Sequence, residues 1–532
     1  MDSAPEQGAA GARPASIARI CAWTAIGATL ALALVFRVIG LGHLPGINGD
    51  EAWYGVLAEK IAAGASASWR TPTGNLPGPF QLGLLLLLQP FFDPDFALLR
   101  LPSLLSSIAA MGLGWWIVRH FFGAGAGLIA LLLLATMPVT IAYARFGWDP
   151  SHVPLIGLAA AGCALANRPL LCAIAFAIAL VTHATSIFIA PFLTLALLGA
   201  AREQEGWRPA LRHAGLFSLL LILALAVMTV TISGGNASVQ PAAIAERLAD
   251  PRQWIAFLML YGRLLSGDTV YMFVAGTGFG ALRPLVDVTT MVLLCGLTAL
   301  GLRSLSRRGF GREAGVVAGW LATLLGFFLV AGNGAIMPHF ERYAMCLIAP
   351  STLALAVLAR EIGGRRERLT FPVAATALIA ALLLAGFWQH YIRALEMSGS
   401  LSHRAFQTGP VEPKQEAFDA ILAESGGRPT GVMAEDWWLA WPIAYLAAGH
   451  AIDVTDVSTL PPGPVVPGRL WLTFAGSELD RRLAATPGTV LRQTIAGTGR
   501  PALLHLWRSA RSSHSPMRAT NQSGESASAR RA

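Results

Sequence analysis

Apolar runs close to the roughly 20 residues needed to cross a bilayer recur from Ile17 to about Tyr391, broken by short arginine-bearing loops. They predict transmembrane helices over 17–39, 98–118, 124–143, 151–167, 170–184, 186–200, 213–233, 286–303, 314–332, 343–360 and 370–391. Two stretches need charge to decide them. Residues 79–92 are apolar but short and carry Gln81 and Gln89, so they are read as dipping into the membrane. Residues 170–200 could cross once, yet Thr182-His183-Ala184-Thr185-Ser186 interrupts them, and they are read as two short spans. With those choices Arg119, Arg168, Arg202, Arg208, Arg212, Arg303, Arg307, Arg308, Arg312, Arg360, Arg365, Arg366 and Arg368 share the side of the N-terminus. The positive-inside rule makes that side cytoplasmic.

The first span follows Arg13 and Arg19 and could pass for a signal peptide. Its apolar run continues too far and shows no small-x-small cleavage site, so it is read as an anchor. From Glu412 the pattern changes to that of a soluble fold. Strand-like runs occur at Gly431–Ala434, Arg469–Phe474, Thr489–Ile495 and Ala502–Trp507, with helices at 414–424 and 438–448. The expected organisation is a cytoplasmic segment 1–16, a membrane domain 17–392 with a first outer loop 40–97, an extracytoplasmic α/β domain 393–508 and a basic disordered tail 509–532.

Composition supports this reading and narrows it. The 532 residues are 54% hydrophobic and only 13% charged, about half the usual charged fraction, with a mean hydropathy of +0.56. A soluble enzyme, a nucleic-acid binder and a disordered chain are excluded. The net charge of +9 is carried almost wholly by arginine, Lys60 and Lys414 being the only lysines. Cys21, Cys163, Cys172, Cys295 and Cys346 all fall in apolar spans without metal-ligand spacing and are read as packing residues.

Ionisable residues at membrane depth are costly and mark function. Asp50-Glu51, followed by Trp53-Tyr54, places adjacent carboxylates just after the first span. Such a pair can raise one carboxyl pKa and supply a base; it can equally be an Asp N-cap with Glu in the first helical turn. Arg145-Phe146-Gly147-Trp148-Asp149-Pro150-Ser151-His152 offers a cation, a carboxylate and an imidazole on the same side. His339-Phe340-Glu341-Arg342-Tyr343 offers a guanidinium able to clamp a phosphate oxygen. Residues 234–285, with Arg263, Asp268, Tyr271 and Arg283, suggest an amphipathic lid. His183 reads as a helix-end histidine, and Arg37 as a residue that snorkels from the first span.

Asp50-Glu51 with Trp53-Tyr54, Leu98-Leu99-Arg100-Leu101-Pro102-Ser103, Ala144-Arg145, and Arg342-Tyr343 with Pro350 together resemble the GT-C membrane glycosyltransferases. The nearest flavour is the bacterial branch similar to protein O-mannosyltransferases, lipid A aminoarabinose transferases and rhizobial galacturonosyltransferases. The resemblance implies a sugar donor on polyprenyl phosphate, used at the outer face of a bacterial cytoplasmic (inner) membrane. The acceptor would be a protein, lipid or glycan of the envelope, and nucleic acid plays no part. It implies that Asp50 acts on the acceptor nucleophile and Glu51 orients a substrate. Tyr54, Arg100, Arg145, Asp149, His152, His339, Glu341, Arg342 and Tyr343 are the expected substrate contacts. Related transferases often carry Lys-Pro-Pro late in the first outer loop, where this chain reads Asn75-Leu76-Pro77-Gly78-Pro79. Arg100, Arg145 or Arg342 must then meet the donor phosphate. Asp50, Glu51 and Asp149 could hold a divalent metal, although no all-oxygen loop of recognisable spacing is present. The rival reading is a transporter or flippase of lipid-linked precursors, which would carry inverted repeats; none is detected.

In the C-terminal domain, Trp438, Trp441 and Tyr445 fall on one helical face and read as core. Glu435, Asp436 and Trp437 read as candidate acceptor contacts. The domain is expected to act as a detachable specificity lid.

Overall fold

The computed structural model describes residues 12–65, 76–232, 241–363, 370–398, 404–409, 411–460, 463–496 and 501–510. Residues 1–11, Asn75, Arg365, Arg366, Arg368 and the tail 511–532, all used in the sequence reading, lie outside the described residues. Among the described residues seven helices are long and apolar enough to cross a membrane: Ile20–Val38, Phe96–Phe122, Ala184–Glu205, Gly280–Leu305, Arg312–Val330, Glu341–Gly363 and Phe371–Met397. The other expected spans are helical too, as Ala124–Thr136 with Pro138–Tyr143, Val153–Leu165, Pro169–Thr182 and Trp207–Ile232. The protein is a polytopic helical body with a small sheet domain at its C-terminal end.

Residues 79–92 hold a ten-residue helix, Pro79–Leu88, about 15 Å long and half a bilayer core. The interruption at 182–186 is also present. Thr182 ends one helix, His183 is extended, and the tight turn Ala184–Ile189 leads into Ala190–Glu205.

A proline explains one fully buried charge in the body. Pro138 has no N–H, so the Leu134 carbonyl four residues earlier loses its helical donor. Arg37 Nη2 and Thr140 Oγ1, each at 2.8 Å, donate to it instead. Arg37 also donates to Ala135 O (2.6 Å), Ala33 O (3.0 Å) and Ser107 Oγ (3.0 Å), and it is fully buried. The snorkelling expectation is therefore corrected: Arg37 pins the first span to the broken third one.

Beyond the body, β1 (Thr430–Ala434), β2 (Ile452–Asp456), β3 (Leu470–Phe474), β4 (Thr489–Ala496) and β5 (Ala502–Ser509) form one sheet in the order β2-β1-β3-β5-β4. β1 is parallel to β2 and β3, and β5 is antiparallel to β3 and β4. Four strands match the sequence reading. β2 and the helix Glu478–Ala485 were not expected, because each is short and mostly polar (Ile452-Asp453-Val454-Thr455-Asp456; Glu478-Leu479-Asp480-Arg481-Arg482).

Strand alternation sends Val432, Leu470, Leu472, Leu504 and Leu506 into one core with Leu439 and Ile443 of the helix Trp437–Leu446. That core does not stop at the domain. It runs on through Ile47, Ala52, Leu57 and Ala58 around the helix Gly49–Ala62, and through Leu82, Leu85 and Leu99. Gly49 has no side chain because a Cβ there would overlap the Trp437 ring. The detachable-lid expectation is corrected by this shared core: the C-terminal domain buries the apolar face of the loop helix (Gly49–Ala62).

Candidate active site

The loop helix is built by its own first turn. Asn48 caps it, accepting from Asp50 N at 2.8 Å, and Glu51 closes a capping box by accepting from Asn48 N at 3.0 Å. Glu51 then accepts from Arg100 Nε (3.0 Å), Arg100 Nη2 (2.9 Å) and Gly147 N (2.7 Å), all without solvent. Arg100 gives its remaining donors to Leu41 O and Pro45 O, each at 2.9 Å, and to Gly46 O at 3.3 Å.

Arg145 does the same for the end of the first span, whose last carbonyls have no helical donor. It donates to Phe36 O (2.7 Å), Ile39 O (2.7 Å), Gly40 O (3.3 Å) and Leu44 O (3.0 Å). Glu51, Arg100 and Arg145, expected to meet substrates, are instead fully buried and saturated. They lock the turn between the first span and the loop helix. His152 is likewise a core residue, bonded to Ser106 Oγ (2.8 Å) and Gln81 Oε1 (2.9 Å).

Asp50 turns the other way. Its Oδ2 stands 3.8 Å from Arg342 Nη1, and the two side chains are 44% and 32% exposed. The Arg342 guanidinium lies over the rings of Trp148 (5.7 Å) and Tyr343 (5.2 Å), which hold it by cation–π contact. Tyr54, one turn beyond Asp50 on the same face, donates to Asp149 Oδ2. Gly78 N donates to that oxygen at 3.0 Å and to the Tyr54 hydroxyl at 3.1 Å. Asp149 Oδ1 is buried with no hydrogen-bond partner among the described residues.

These surroundings tune both aspartates. Burial raises the Asp50 carboxyl above its ordinary range, Arg342 opposes the rise, and Glu51 adds to it. Burial pushes Asp149 up to about 7, against the Tyr54 and Gly78 hydrogen bonds and with a further push from Asp50. Burial and the adjoining Asp149 hold the Tyr54 phenol well above its usual range, so it remains a proton donor.

Five of the sequence candidates therefore gather at one face: Asp50, Tyr54, Asp149, Arg342 and Tyr343. Glu341 points away into the body and is fully buried. His339 is exposed in a left-handed conformation and packs on Phe273 at 4.6 Å. Arg263 and Arg283 of the expected lid pair with Asp287 (2.6 Å) and Asp268 (2.8 Å) rather than facing the site. The sequence reading passed over Gly78, whose N–H ties Tyr54 to Asp149. It also set aside His183, whose ring lies 6.0 Å from Tyr343; only the helix break pointed to it. The described residues bring together no group of three His, Cys, Asp or Glu side chains able to hold a metal.

No protein-family model matches the chain, and no curated protein matches it. Solved structures similar to it include the Archaeoglobus fulgidus oligosaccharyltransferase in complex with Zn and sulfate, at TM-score 0.47 and 16% identity, over 81% of this chain and 62% of that one. ArnT from Cupriavidus metallidurans is similar in the apo state (TM-score 0.39, 13% identity) and bound to undecaprenyl phosphate (0.37, 12%), each over 90% of this chain and 97% of that one. This chain spans 62% of the length of the oligosaccharyltransferase. These three TM-scores lie below 0.5.

Proposed function

We propose that this protein is a membrane glycosyltransferase that moves a hexosyl or pentosyl group from polyprenyl phosphate to an envelope acceptor. The observation that carries the reading is the Asp50–Arg342 pair. It joins the first turns of two helices nearly three hundred residues apart in sequence, is open to solvent, and leaves a gap of 3.8 Å rather than a tight bridge.

In the reaction the acceptor oxygen bonds to the anomeric carbon while the bond from that carbon to the phosphate oxygen breaks. The electron pair leaves on the phosphate, and the acceptor proton passes to Asp50. Arg342 meets the charge that develops on the departing phosphate, the work its planar fork suits. Asp149, ionised, holds Tyr54 and thereby Gly78 beside Asp50. A single displacement inverts the anomeric centre. The donor needs no nucleotide-binding fold because its lipid brings the sugar to the membrane. The arginine distribution supports an outward-facing site in a bacterial inner membrane.

The test is purified protein incubated with a panel of polyprenyl-phosphate sugars, scored by release of polyprenyl phosphate. At least one sugar should be turned over, and Asp50→Asn should slow release by about 10²–10⁴. Full activity in Asp50→Asn, or no turnover with any donor, sinks the reading.

A further inference from the structure

A cavity well apart from Asp50 opens in the C-terminal domain. It lies at the opposite end of the C-terminal sheet, at the start of β1 and β2, and encloses about 590 Å³. That is within the usual range for small-molecule sites. Arg428, Arg469, Arg508, His450 and Asp453 line it together with Gly431. From Thr430 to Ala434, β1 spans ~13 Å, and only beyond Ala434 does the chain reach Trp437 and the loop helix. The two places are thus separated by the length of the sheet.

The guanidinium groups in this cavity differ in what they already hold. Arg508 donates to Glu424 Oε2 at 3.0 Å, and Glu424 is shared with Arg492. Arg428 makes one long bond, 3.4 Å, to Ser425 O. Arg469 donates to no acceptor and pairs with no acid among the described residues, although its backbone is bonded to Ser509. Asp453 is the single acid in the lining.

A second observation is the residue beneath Arg469. Gly431 lies within β1, where glycine weakens a strand and marks close approach of another group. A Cβ there would overlap Arg469 Nη1. The strand lacks a side chain at the position that this guanidinium occupies.

We propose that the cavity binds an anion, a phosphate or carboxylate group carried on a polar, sugar-like scaffold. Arg469 and Arg428 supply the charge, Arg508 the second row. Apart from Pro429, Ala451 and Ile452 the lining is glycine, polar or charged, which suits a polar ligand better than an acyl chain. The volume exceeds what one inorganic anion fills, and the strand-end backbone and the Thr430 hydroxyl offer further hydrogen bonds. This site does not depend on the glycosyltransferase reading.

The experiment is calorimetric titration of the full chain in detergent with two probes, inorganic pyrophosphate and an oligomer of a hexuronic acid. Saturable binding is expected for at least one, and the tighter probe names the anion. It should weaken with added salt. Arg469→Gln should weaken it about tenfold and Arg428→Gln less, since a charge-assisted bond is lost in each. Glu424→Gln, which releases Arg508, should tighten it. Both substituted arginines reach solvent, and an unchanged melting curve confirms the fold. Asp50→Asn should bind both probes as the unaltered chain does, which separates this site from the reaction. Absence of saturable binding to either probe, or wild-type binding in a folded Arg469→Gln protein, overturns the proposal.

Discussion

The turn that joins the first span to the loop helix and the face across from it are both rich in charge, but the charges are used in opposite ways. In the turn, every guanidinium nitrogen of Arg100 and Arg145 donates to a carbonyl or to Glu51, and none reaches solvent. On the face, Asp50 and Arg342 are loosely paired and open. One helical position separates the two regions, Glu51 from Asp50. The difference shows that a charged residue at the end of a membrane helix is read by its unoccupied hydrogen-bonding capacity, not by its presence. A guanidinium with its donors already placed has nothing left for a phosphate.

The most severe way to break the comparison is to remove what supports both regions. Truncation before Glu412 strips Leu439, Ile443 and Tyr445 from the core they share with the loop helix. The apolar side of that helix would face water, at roughly 25 cal/mol per Å² exposed. The expected result is a protein that aggregates on extraction and transfers no sugar, read by size-exclusion profile and donor turnover. A monodisperse truncated protein that still cleaves donor would restore the detachable lid.

Next in size is the turn itself. Arg100→Met leaves Glu51 buried without its ion pair, a loss of about 3–5 kcal/mol. A large drop in melting temperature should accompany any loss of activity. If Arg100→Met melts normally and fails only in turnover, Arg100 belongs with the open face. Arg342→Ala should behave inversely. It should melt like the unaltered protein and lose about 10²–10³ in rate, the usual effect of removing one charge-stabilising donor. A stability loss matching the rate loss would move Arg342 into the turn.

Much of this was legible in the sequence, and the failures have a common cause. Periodicity and length gave the helices, including the break at His183, because both report on local backbone and burial. The same patterns gave four of five strands. What the sequence could not give was direction. Glu51 and Asp50 are neighbours of one chemical type, and only a helical rotation of about 100° sends one to Arg100 and the other to Arg342. Arg145 offered the right charge at the right end, but the carbonyls of Phe36 and Ile39 lie over a hundred residues away in sequence. The fate of Leu134 O could have been anticipated, since Pro138 four residues on must orphan it.

The smallest expected effect is the sharpest, because it concerns a single hydrogen bond. Asp149 sits near pKa 7 through burial, and the Tyr54 hydroxyl holds it below the value burial alone would give. If the ionised carboxylate keeps Tyr54 and Gly78 in place beside Asp50, turnover should rise with pH through about 7 and level off above it. Tyr54→Phe removes a bond that favours the charged form. The Asp149 pKa must then rise, and the acid limb of the rate profile should move to higher pH by up to about one unit. The plateau rate should fall only severalfold, since Phe preserves the ring against Trp53, now 5.2 Å away and edge-on. The measurement is kcat/KM for donor cleavage between pH 5.5 and 9 in both proteins. A limb that stays in place would show that another group titrates there, and a limb that moves to lower pH would mean that Tyr54 bonds the neutral acid instead.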